Sequence, residues 1–456
     1  MIHKFKQNNY NVVLDINSGS IHLVDDVVYD LLDYVTPNTF SEDFYSSNLE
    51  NLKPKYNFSD LKSAYEEIKK LYDTGLLFTE EDENNFNVLK ENLKIAPVKS
   101  MCLNIAHDCN LRCKYCFAST GDFGVGRRLM SSEIAKKSID FLVKNSGTRH
   151  NLEVDFFGGE PLMNFCVLKD TVLYARSLEK KYKKNFRFTV TTNGLLLTDE
   201  IIDFINKEMS NVVLSLDGRK EVNDICRTTC SGKGSYDVIV PKFQKLVNGR
   251  KGKEYYIRGT FTKNNLDFSK DVLHINSLGF DQISVEPVTT QDKSFAISTE
   301  DLDIIKKEYE KLTNVMLKSR RNGRYFNFFH FMLDLNSGPC LIKKLKGCSC
   351  GVEYIAVTPD GDIYPCHQFV GKNEWKMGNV LDGTFDLKIR DIFIDTNIYT
   401  KEGCKRCWAK FFCSGGCNAN NFNENKSLLK PCHIACELQK KRLECAIVLQ
   451  LEQENF

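Results

Sequence analysis

Three cysteines on one short loop are the residues of this chain best suited to metal chemistry. They lie in the segment Cys109-Asn-Leu-Arg-Cys113-Lys-Tyr-Cys116, directly after the apolar, strand-like run 100–105. Three thiolates are one fewer than the irons of a [4Fe–4S] cluster, so one iron would stay open to another ligand. An open iron indicates cofactor chemistry, whereas structural zinc has four ligands, usually in two separated pairs. Spacing alone leaves a zinc site or a redox thiol pair as alternatives.

The other cysteines are concentrated near the C-terminus. Eleven of the eighteen lie at or after Cys340, and Cys404-x2-Cys407-x5-Cys413-x3-Cys417 has the count and spacing of a metal signature. Two iron–sulfur clusters would use eight of these thiols, whereas a zinc ribbon would use four. We therefore expect the tail to bind two clusters.

The chain carries no segment that predicts secretion or membrane insertion. Its first residues lack the apolar core of a signal peptide, and no stretch approaches the roughly 18 continuous apolar residues of a membrane span. These features predict a cytoplasmic protein without a membrane partner. Disulfides are rare in that compartment, so the cysteines are expected to serve metal or redox chemistry.

Residues 1–95 differ from the rest in charge and pattern. They hold nine Lys and Arg against seventeen Asp and Glu, a net charge of −8, although the whole chain is at +2. This balance opposes binding to nucleic acid, because phosphate contacts need positive charge. Strands at 11–15 and 21–24, then helices at 26–35 and 58–74, predict a winged-helix-like α+β domain. A charged, Asn-rich linker follows at 79–92.

Residues 96–299 alternate between apolar, β-rich runs and helical patterns. The runs are 100–105, 152–157, 186–191, 211–216, 255–261 and 282–287. Six strands alternating with helices predict a parallel sheet with right-handed crossovers, either doubly wound or an incomplete barrel. Residues 300–339 are expected to form a helical bridge. We expect one stripe of side chains on this helix to pack into the core: Phe326, Phe328, Phe329, Phe331 and Met332.

Polar or glycine-rich segments follow the first four of these strands. They are the cysteine loop, Gly158-Gly159-Glu160-Pro161, Thr191-Thr192-Asn193-Gly194 and Asp217-Gly218. In parallel α/β proteins, chemistry lies at the carboxyl ends of the strands, and glycine lets the backbone approach a ligand closely. Four such segments on one rim therefore predict a cofactor site.

These motifs together resemble those of the radical S-adenosylmethionine (SAM) enzymes. The tail resembles their SPASM extension, with Cys348, Gly361-Asp-Ile-Tyr-Pro-Cys366 and the later cysteines. More closely, the chain resembles the maturases of SCIFF peptides, which form thioethers in small Cys-rich precursors. The resemblance implies an α/β fold: a partial (β/α)6 barrel over 96–299, with an N-terminal winged-helix-like domain and a SPASM domain over 340–456.

The resemblance also implies the cofactors and their chemistry. One [4Fe–4S] cluster would bind SAM, and two auxiliary [4Fe–4S] clusters would lie in the tail. One electron would cleave a C–S bond of SAM and yield a 5′-deoxyadenosyl radical. The cofactor carries this chemistry, while the protein positions it and excludes water.

Six residues are assigned to SAM by the resemblance. They are Tyr115 near the adenine, Gly159 and Glu160 at the methionine amine, Ser215 at the methionine or ribose portion, Arg227 at the carboxylate, and Val288 in the adenine pocket. The planar guanidinium of Arg227 suits a carboxylate. The structural alternatives are a turn cap at Ser215, a solvated surface side chain at Arg227 and plain core at Val288.

The same resemblance divides the tail cysteines between the auxiliary clusters. The outer cluster would be held by Cys404, Cys407, Cys413 and Cys436, and the inner cluster by Cys348, Cys366 and Cys417, with Cys340 as a candidate fourth ligand. Cys350 is the rival of Cys340, and Cys432 is the rival of Cys436. If the inner cluster has an open iron, it could bind a substrate thiolate and hold that sulfur in place.

One position departs from a related group of enzymes. Sulfatase-maturing relatives place an Asp that works as a base directly after the equivalent of Cys366, whereas this chain has His367. The difference disfavours sulfatase maturation. His367 is a weak candidate for a catalytic role, and a hydrogen bond near the cluster is the favoured interpretation.

The expected partners are a Cys-rich precursor peptide with a leader segment and an electron donor. The donor would be a reductase, a flavodoxin or a ferredoxin-type protein. The front domain would bind the leader by β-augmentation, with 21–24 as the docking strand. Three functions remain open: a thioether-forming maturase, a SPASM enzyme for peptide epimerisation, carbon–carbon linkage or oxidation, and a non-catalytic zinc-binding winged-helix regulator.

Overall fold

The computed structural model describes residues 1–40, 52–81, 90–335 and 340–454. Its N-terminal part is an antiparallel sheet of β1 (Ile2–Gln7), β2 (Tyr10–Asp15) and β3 (Ile21–Val24), followed by α1 (Asp26–Leu31) and α2 (Phe58–Asp73). The order of strands and helices agrees with the sequence prediction, except that β1 was not predicted. Most of the predicted linker 79–92 lies outside the described residues.

Local sequence signals explain where the first two helices begin. The side chain of Asp25 accepts a hydrogen bond from the backbone of Val28, and the side chain of Asn57 accepts one from Asp60. Such N-caps satisfy backbone donors that have no partner inside the helix. The buried faces of both helices then pack on the sheet through residues such as Leu31 and Leu61.

The central part is a curved parallel sheet, and it confirms the predicted α/β partial barrel. Its six strands are β4 (Ser100–His107), β6 (Asn151–Gly158), β7 (Asn185–Thr192), β8 (Asn211–Ser215), β9 (Glu254–Phe261) and β10 (Gln282–Pro287). They are hydrogen-bonded in chain order, and every neighbouring pair is parallel. The short strand β5 (Arg128–Leu129) pairs with β4 from the other side.

Helices connect these strands and cover the outer face of the sheet. They are α3 (Ser132–Asn145), α4 (Phe165–Tyr182), α5 (Asp199–Glu208), α6 (Lys220–Cys226), α7 (Tyr236–Asn248) and α8 (Phe268–Ser277). The side chain of Ser131 caps α3, as the sequence predicts. Alternate strand residues, such as Val154 and Phe156, are fully buried between sheet and helices.

The segment after the barrel differs from its prediction. The helix α9 (Leu302–Arg321) ends well before 335, and β11 (Asn327–Phe328) then pairs with β10. The predicted helical stripe is therefore wrong in geometry: Phe326, Phe328 and Phe331 are buried, whereas Phe329 and Met332 are exposed. A short strand followed by a 3-10 turn presents a different set of side chains to the core than a helix does.

The C-terminal part extends the sheet of the barrel. The strand β12 (Tyr354–Val357) pairs with β4 in parallel, and β13 (Asp362–Tyr364), β14 (Gly378–Asn379) and β15 (Thr384–Phe385) continue in antiparallel order. The helices of this part are α10 (Leu341–Lys346), α11 (Leu387–Asp395), α12 (Lys410–Cys413), α13 (Asn418–Asn425) and α14 (His433–Glu454). The shared sheet joins the tail directly to the strand that precedes the cysteine loop.

The last helix also ties the front domain to the rest. His3 of β1 forms a 3.1 Å contact with Glu444 of α14 and stacks on Trp408 at 3.7 Å between ring centroids. Tyr10 of β2 donates a 2.8 Å hydrogen bond to Glu452. None of the helices formed by the described residues is both long and apolar enough to cross a membrane.

Candidate active site

The three cysteines of the loop after β4 line one cavity at the carboxyl end of the barrel. Cys109, Cys113 and Cys116 all contribute to its wall. Burial raises the pKa of Cys109 to about 12, and the neighbouring Cys113 and Cys116 thiols contribute to that rise. The backbone N–H of Leu111 and the side chain of Asn193 approach the Cys109 sulfur at 3.4 and 3.6 Å. These donors suit a thiolate that carries negative charge.

The three thiols around this cavity have the ligand count of a cluster with one open iron. Within the described residues, no three His, Cys, Asp or Glu side chains lie close enough together to ligate a single metal ion. A cubane cluster takes one thiolate at each of several separate irons, so its ligands need not converge on one point. Three thiols around a shared cavity are consistent with that arrangement.

Gly159 holds the end of β6 against the cysteine loop. A Cβ atom at this position would lie 2.1 Å from the backbone oxygen of Asp108, and the N–H of Gly159 donates to Ala106 at 2.8 Å. Only glycine permits this approach. The backbone of Gly159 lines the cavity. Its contact with the methionine amine stays a prediction.

Glu160 is buried and braces the strand ends. Its carboxylate accepts hydrogen bonds from the Thr192 hydroxyl at 2.8 Å, the Asn193 N–H at 2.8 Å and the Leu162 N–H at 3.0 Å. Burial raises its pKa to about 7. The carboxylate thus links the end of β6 to the end of β7, a role that the sequence did not indicate. Its contact with SAM remains a prediction.

Tyr115, Asp217 and Arg227 form a buried network at the other side of the cavity. The Tyr115 hydroxyl donates to Asp217 at 2.6 Å, and the Arg227 Nε lies 3.0 Å from the other carboxylate oxygen. The guanidinium also lies 5.6 Å from the centre of the Tyr115 ring. The Arg227 side chain is only 11% exposed, so the alternative of a solvated surface arginine is wrong.

Asp217 is therefore a candidate site residue whose partners the sequence did not reveal. Its motif was recognised, but its partners come from the loop after β4 and from the segment after α6. Asp217 also accepts a 3.0 Å hydrogen bond from the backbone of Thr260. A cation held by one carboxylate at a cavity wall can bind a second carboxylate, as the predicted SAM contact requires.

Ser215 and Val288 line the same cavity, at the ends of β8 and β10. The N–H of Val288 donates to Phe261 at 2.8 Å, which fixes the segment after β10. Their contacts with SAM remain predictions. Between them, Arg258 and Glu286 form a 3.0 Å ion pair on the cavity wall. Sequence reasoning missed this pair, although both are charged residues within otherwise apolar strand runs.

The C-terminal part contributes to the cavity wall. His367, Gln368 and Asn420 line the cavity, and the His367 ring lies 5.8 Å from that of Phe117, which directly follows Cys116. The His367 ring lies 4.8 Å from that of Phe157, and its Nδ1 lies 3.1 Å from the Tyr354 hydroxyl. Burial lowers the pKa of His367 to about 4. The hydrogen bond agrees with the favoured interpretation of this residue.

The predicted outer cysteines are gathered together. Burial raises the pKa of Cys436 to about 12, the thiols of Cys413, Cys404 and Cys407 contribute to that rise, and Cys432 adds the smallest contribution. Burial is the largest cause of the raised pKa of Cys432, and a hydrogen bond with Glu424 is the second. This placement favours Cys436 over Cys432, and the ligand assignment stays a prediction.

Cys350 lies near two of the predicted inner cysteines, Cys348 and Cys366. Cys348 and Cys350 share a hydrogen bond that lowers the pKa of Cys348. Burial raises the pKa of Cys366, and the nearby thiols of Cys417 and Cys348 add to the rise. Cys340 is exposed at the start of α10. The structure thus places the Cys350 thiol beside the inner set, and the ligand assignment stays a prediction.

Comparisons with known proteins agree with this geometry. Residues 103–255 match the Radical SAM superfamily, and residues 348–408 match the iron-sulfur cluster-binding domain SPASM. A cysteine-type anaerobic sulfatase-maturating enzyme of Clostridium novyi (strain NT) is 27% identical over 339 residues, which are 69% of this chain and 86% of that enzyme.

Two solved structures have a similar fold. Native anSMEcpe with bound AdoMet and Kp18Cys peptide has a TM-score of 0.65 and 21% identity, over 79% of this chain and 100% of that chain. Streptococcus suis SuiB bound to precursor peptide SuiA has a TM-score of 0.53 and 16% identity, over 95% of this chain and 98% of that chain.

The matched domains define the cofactors. Radical SAM and SPASM domains bind [4Fe–4S] clusters and SAM, and the cavity here presents the thiols, the buried arginine and the glycine-lined rim that such groups need. The chain therefore joins a radical SAM domain to a C-terminal SPASM domain.

Proposed function

We propose that this protein is a radical SAM peptide maturase that joins a cysteine sulfur to the α-carbon of an acceptor residue in a Cys-rich precursor peptide. One observation carries the proposal. The cavity of the cysteine loop is also lined by His367 and Gln368, which directly follow Cys366, and by Asn420, which lies three residues after Cys417. A peptide in this cavity would therefore lie close to both cysteine-bearing parts of the chain.

That position suits a reaction between two parts of one peptide. The acceptor residue would face Cys109, Cys113 and Cys116, while the reacting sulfur would face the inner cysteine set. The bound cofactor supplies a one-electron oxidant strong enough to remove hydrogen from carbon. Because Cys350 lies beside Cys348, a peptide thiolate bound at the inner set would have to take the place of Cys350.

The protein's own residues would hold and enclose the reactants. Arg227, fixed by Asp217, would bind the SAM carboxylate, and Tyr115 would lie near the adenine. Glu160 would keep the ends of β6 and β7 in place and would take no part in the reaction itself. The aromatic rings of Phe157 and His367 would exclude water from the cavity.

The stoichiometry of the proposed reaction balances. The peptide loses one hydrogen from the α-carbon and one from the thiol, and a carbon–sulfur bond forms. The carbon-bound hydrogen ends on 5′-deoxyadenosine, and the thiol hydrogen leaves as a proton. The two electrons released by the peptide account for the reductive cleavage of one SAM to methionine and 5′-deoxyadenosine.

The front domain would recognise the leader of the precursor. In the described part of its sheet, β3 pairs with β2 alone, so the other side of β3 is an edge at which a peptide strand could add. Similarity to SuiB, whose solved structure contains precursor peptide SuiA, supports a peptide substrate. An acidic front domain favours a Lys-rich leader. The electron donor would be a reductase, a flavodoxin or a ferredoxin-type protein.

Mass spectrometry of a co-expressed peptide tests the proposal. The protein would be produced without air together with a Cys-rich peptide encoded beside its gene. We expect the peptide to lose two hydrogens for each thioether and the linked cysteine to resist alkylation. An epimerised peptide keeps its mass, so an unchanged mass with 5′-deoxyadenosine formation would contradict thioether formation.

Two variants separate the roles of the cysteine sets. Alanine at Cys109, Cys113 and Cys116 should abolish 5′-deoxyadenosine formation. Alanine at Cys348 and Cys366 should leave that product and abolish the thioether. Thioether formation by the second variant would refute the role given to the inner set.

A second candidate is sulfatase maturation by oxidation of a cysteine. The relative from Clostridium novyi named above favours it, and His367 after Cys366 opposes it. Incubation with a sulfatase peptide decides between the two, because maturation would remove the cysteine sulfur whereas thioether formation keeps it.

A further inference from the structure

Lys401 places a buried cation inside the Cys-rich domain. The residue is 3% exposed. Its Nζ donates to the backbone oxygen of Gly415 at 2.8 Å and to the side-chain oxygen of Asn418 at 2.6 Å. A buried ammonium needs several acceptors to offset the loss of water. Gly415 lies in the segment that connects Cys413 with Cys417, and Asn418 directly follows Cys417.

The position of Lys401 is between the two cysteine sets. Burial lowers the pKa of Lys401, and four thiols from both sets oppose that shift: Cys404 and Cys413 from the outer one, Cys350 and Cys417 from the inner one. The formal charge of a buried ammonium is little screened at this depth. One cation therefore acts on both predicted cluster sites.

Two further contacts connect Lys401 to individual cysteines. The amide nitrogen of Asn418, whose oxygen is held by Lys401, donates to the Cys350 sulfur at 3.3 Å. The backbone oxygen of Lys401 accepts from the Cys404 N–H at 3.2 Å. Lys401 thus fixes which end of the Asn418 amide faces the inner thiols, and it helps to place the first outer thiol.

The connecting segment packs tightly against the lysine stem. A Cβ atom at Gly415 would lie 2.7 Å from the Cδ of Lys401, and Gly415 has a φ of +80°. Glycine is therefore required both by the backbone conformation and by the lysine. The lysine and the glycine together determine the path by which the chain crosses from one set to the other.

We propose that Lys401 is a positioning residue for both auxiliary clusters: it holds the crossover from Cys413 to Cys417, orients Asn418 toward Cys350 and raises the reduction potential of both clusters. Hydrogen bonds to sulfur and nearby positive charge favour the reduced, more negative state of a cluster. The inference rests on the cofactor assignment in the proposed function, and it is independent of the bond that the enzyme forms.

The test uses the full chain with alanine at Cys109, Cys113 and Cys116, so that only the auxiliary sites can hold iron. In this background, Lys401→Met removes the charge at similar length. Lys184→Met is the matched control, because Lys184 is also buried and donates to the backbone oxygens of Gly147 and Arg149, in the barrel. Iron and sulfide content and EPR-monitored redox titration are measured after anaerobic reconstitution.

We expect the parent to hold about eight irons per chain. Lys401→Met should either lose iron from both sites or keep it with both midpoint potentials shifted to more negative values. Lys184→Met should match the parent. Full iron with two unchanged potentials in Lys401→Met would overturn the proposal, whereas a parent that holds only about four irons would overturn the cofactor assignment itself.

A second variant keeps the proposal testable if Lys401→Met does not fold. Asn418→Leu removes the amide whose nitrogen faces Cys350 and whose oxygen accepts from Lys401, while Lys401 keeps its hydrogen bond to Gly415. It should shift the inner potential to a more negative value and leave the outer potential unchanged. An unchanged inner potential, or equal shifts in both, would refute the proposed link from Lys401 through Asn418 to Cys350.

Discussion

Replacing Asp155 by Asn should stabilise the protein at pH 8 and change its stability far less near pH 4. Asp155 lies on β6, opposite Cys102 on β4 and Thr189 on β7. Phe157, two residues further on, lines the cavity, so Asp155 also faces the lumen of the barrel. Burial raises the pKa of Asp155 to about 7; the charge of Glu153 adds to the rise, and a hydrogen bond from Thr189 opposes it.

The sign follows from the direction of this shift. A carboxyl group whose pKa is higher in the folded than in the unfolded protein destabilises the folded state once it ionises. The destabilisation is absent below pH 3.8, grows as the pH rises and is complete above about pH 7. Cys102 and Tyr354, which face the carboxyl, have raised pKa values and stay neutral over this range.

The shift also sets the magnitude. A change from 3.8 to about 7 corresponds to about 4 kcal/mol at 1.36 kcal/mol per pKa unit, and this is an upper value because water in the lumen screens the charge. Asn keeps an acceptor for Thr189 but cannot ionise. The stability difference between Asp155→Asn and the wild type should therefore widen by about 2 to 3 kcal/mol between about pH 5 and about pH 8.

Urea unfolding at these two pH values measures the difference. Thr189→Val is the control, since it removes the hydrogen bond that favours the ionised form and should extend the loss of stability to higher pH and make it larger in total. A difference that does not depend on pH, or an Asn variant that is less stable than the wild type at pH 8, would refute the assignment of a buried, ionised carboxylate.

Three further predictions address the candidate site. Gly159→Ala should displace the cysteine loop and lower the iron content and 5′-deoxyadenosine formation, because its Cβ meets a backbone oxygen at 2.1 Å; full activity would contradict that packing. Cys350→Ala should lower the iron content of the peptide-free protein more than Cys340→Ala does, and equal losses would contradict the placement of Cys350. Asp217→Asn should cost about 3–5 kcal/mol in thermal unfolding, because it leaves the charge of Arg227 buried without its carboxylate; a loss below about 1 kcal/mol would show that the pair is solvated.

Local patterns determined much of this fold. The alternation of apolar strands with helices predicted all six barrel strands, because side-chain periodicity and turn residues act over a few neighbours. The same locality explains the error after α9. Phe326 and Phe331 are apolar and buried, but their spacing suits a helix as well as a strand and a turn, and pairing with β10 decided between the two.

By itself, the sequence indicated the type of chemistry: three cysteines on one loop after a strand, glycines at strand ends and a Cys-rich tail favour an iron–sulfur cofactor site, and the resemblance of these motifs to the radical SAM enzymes implied SAM. Only the tertiary structure decided how those parts meet. It paired β12 with β4, placed His367 on the cavity wall, brought Cys366 and Cys417 together with Cys348, and placed Lys401 between the two sets. The physical reason is the distance along the chain over which each kind of interaction acts. Residue spacing encodes what neighbours along the chain can do, whereas contacts across hundreds of residues depend on the burial and pairing of the whole chain.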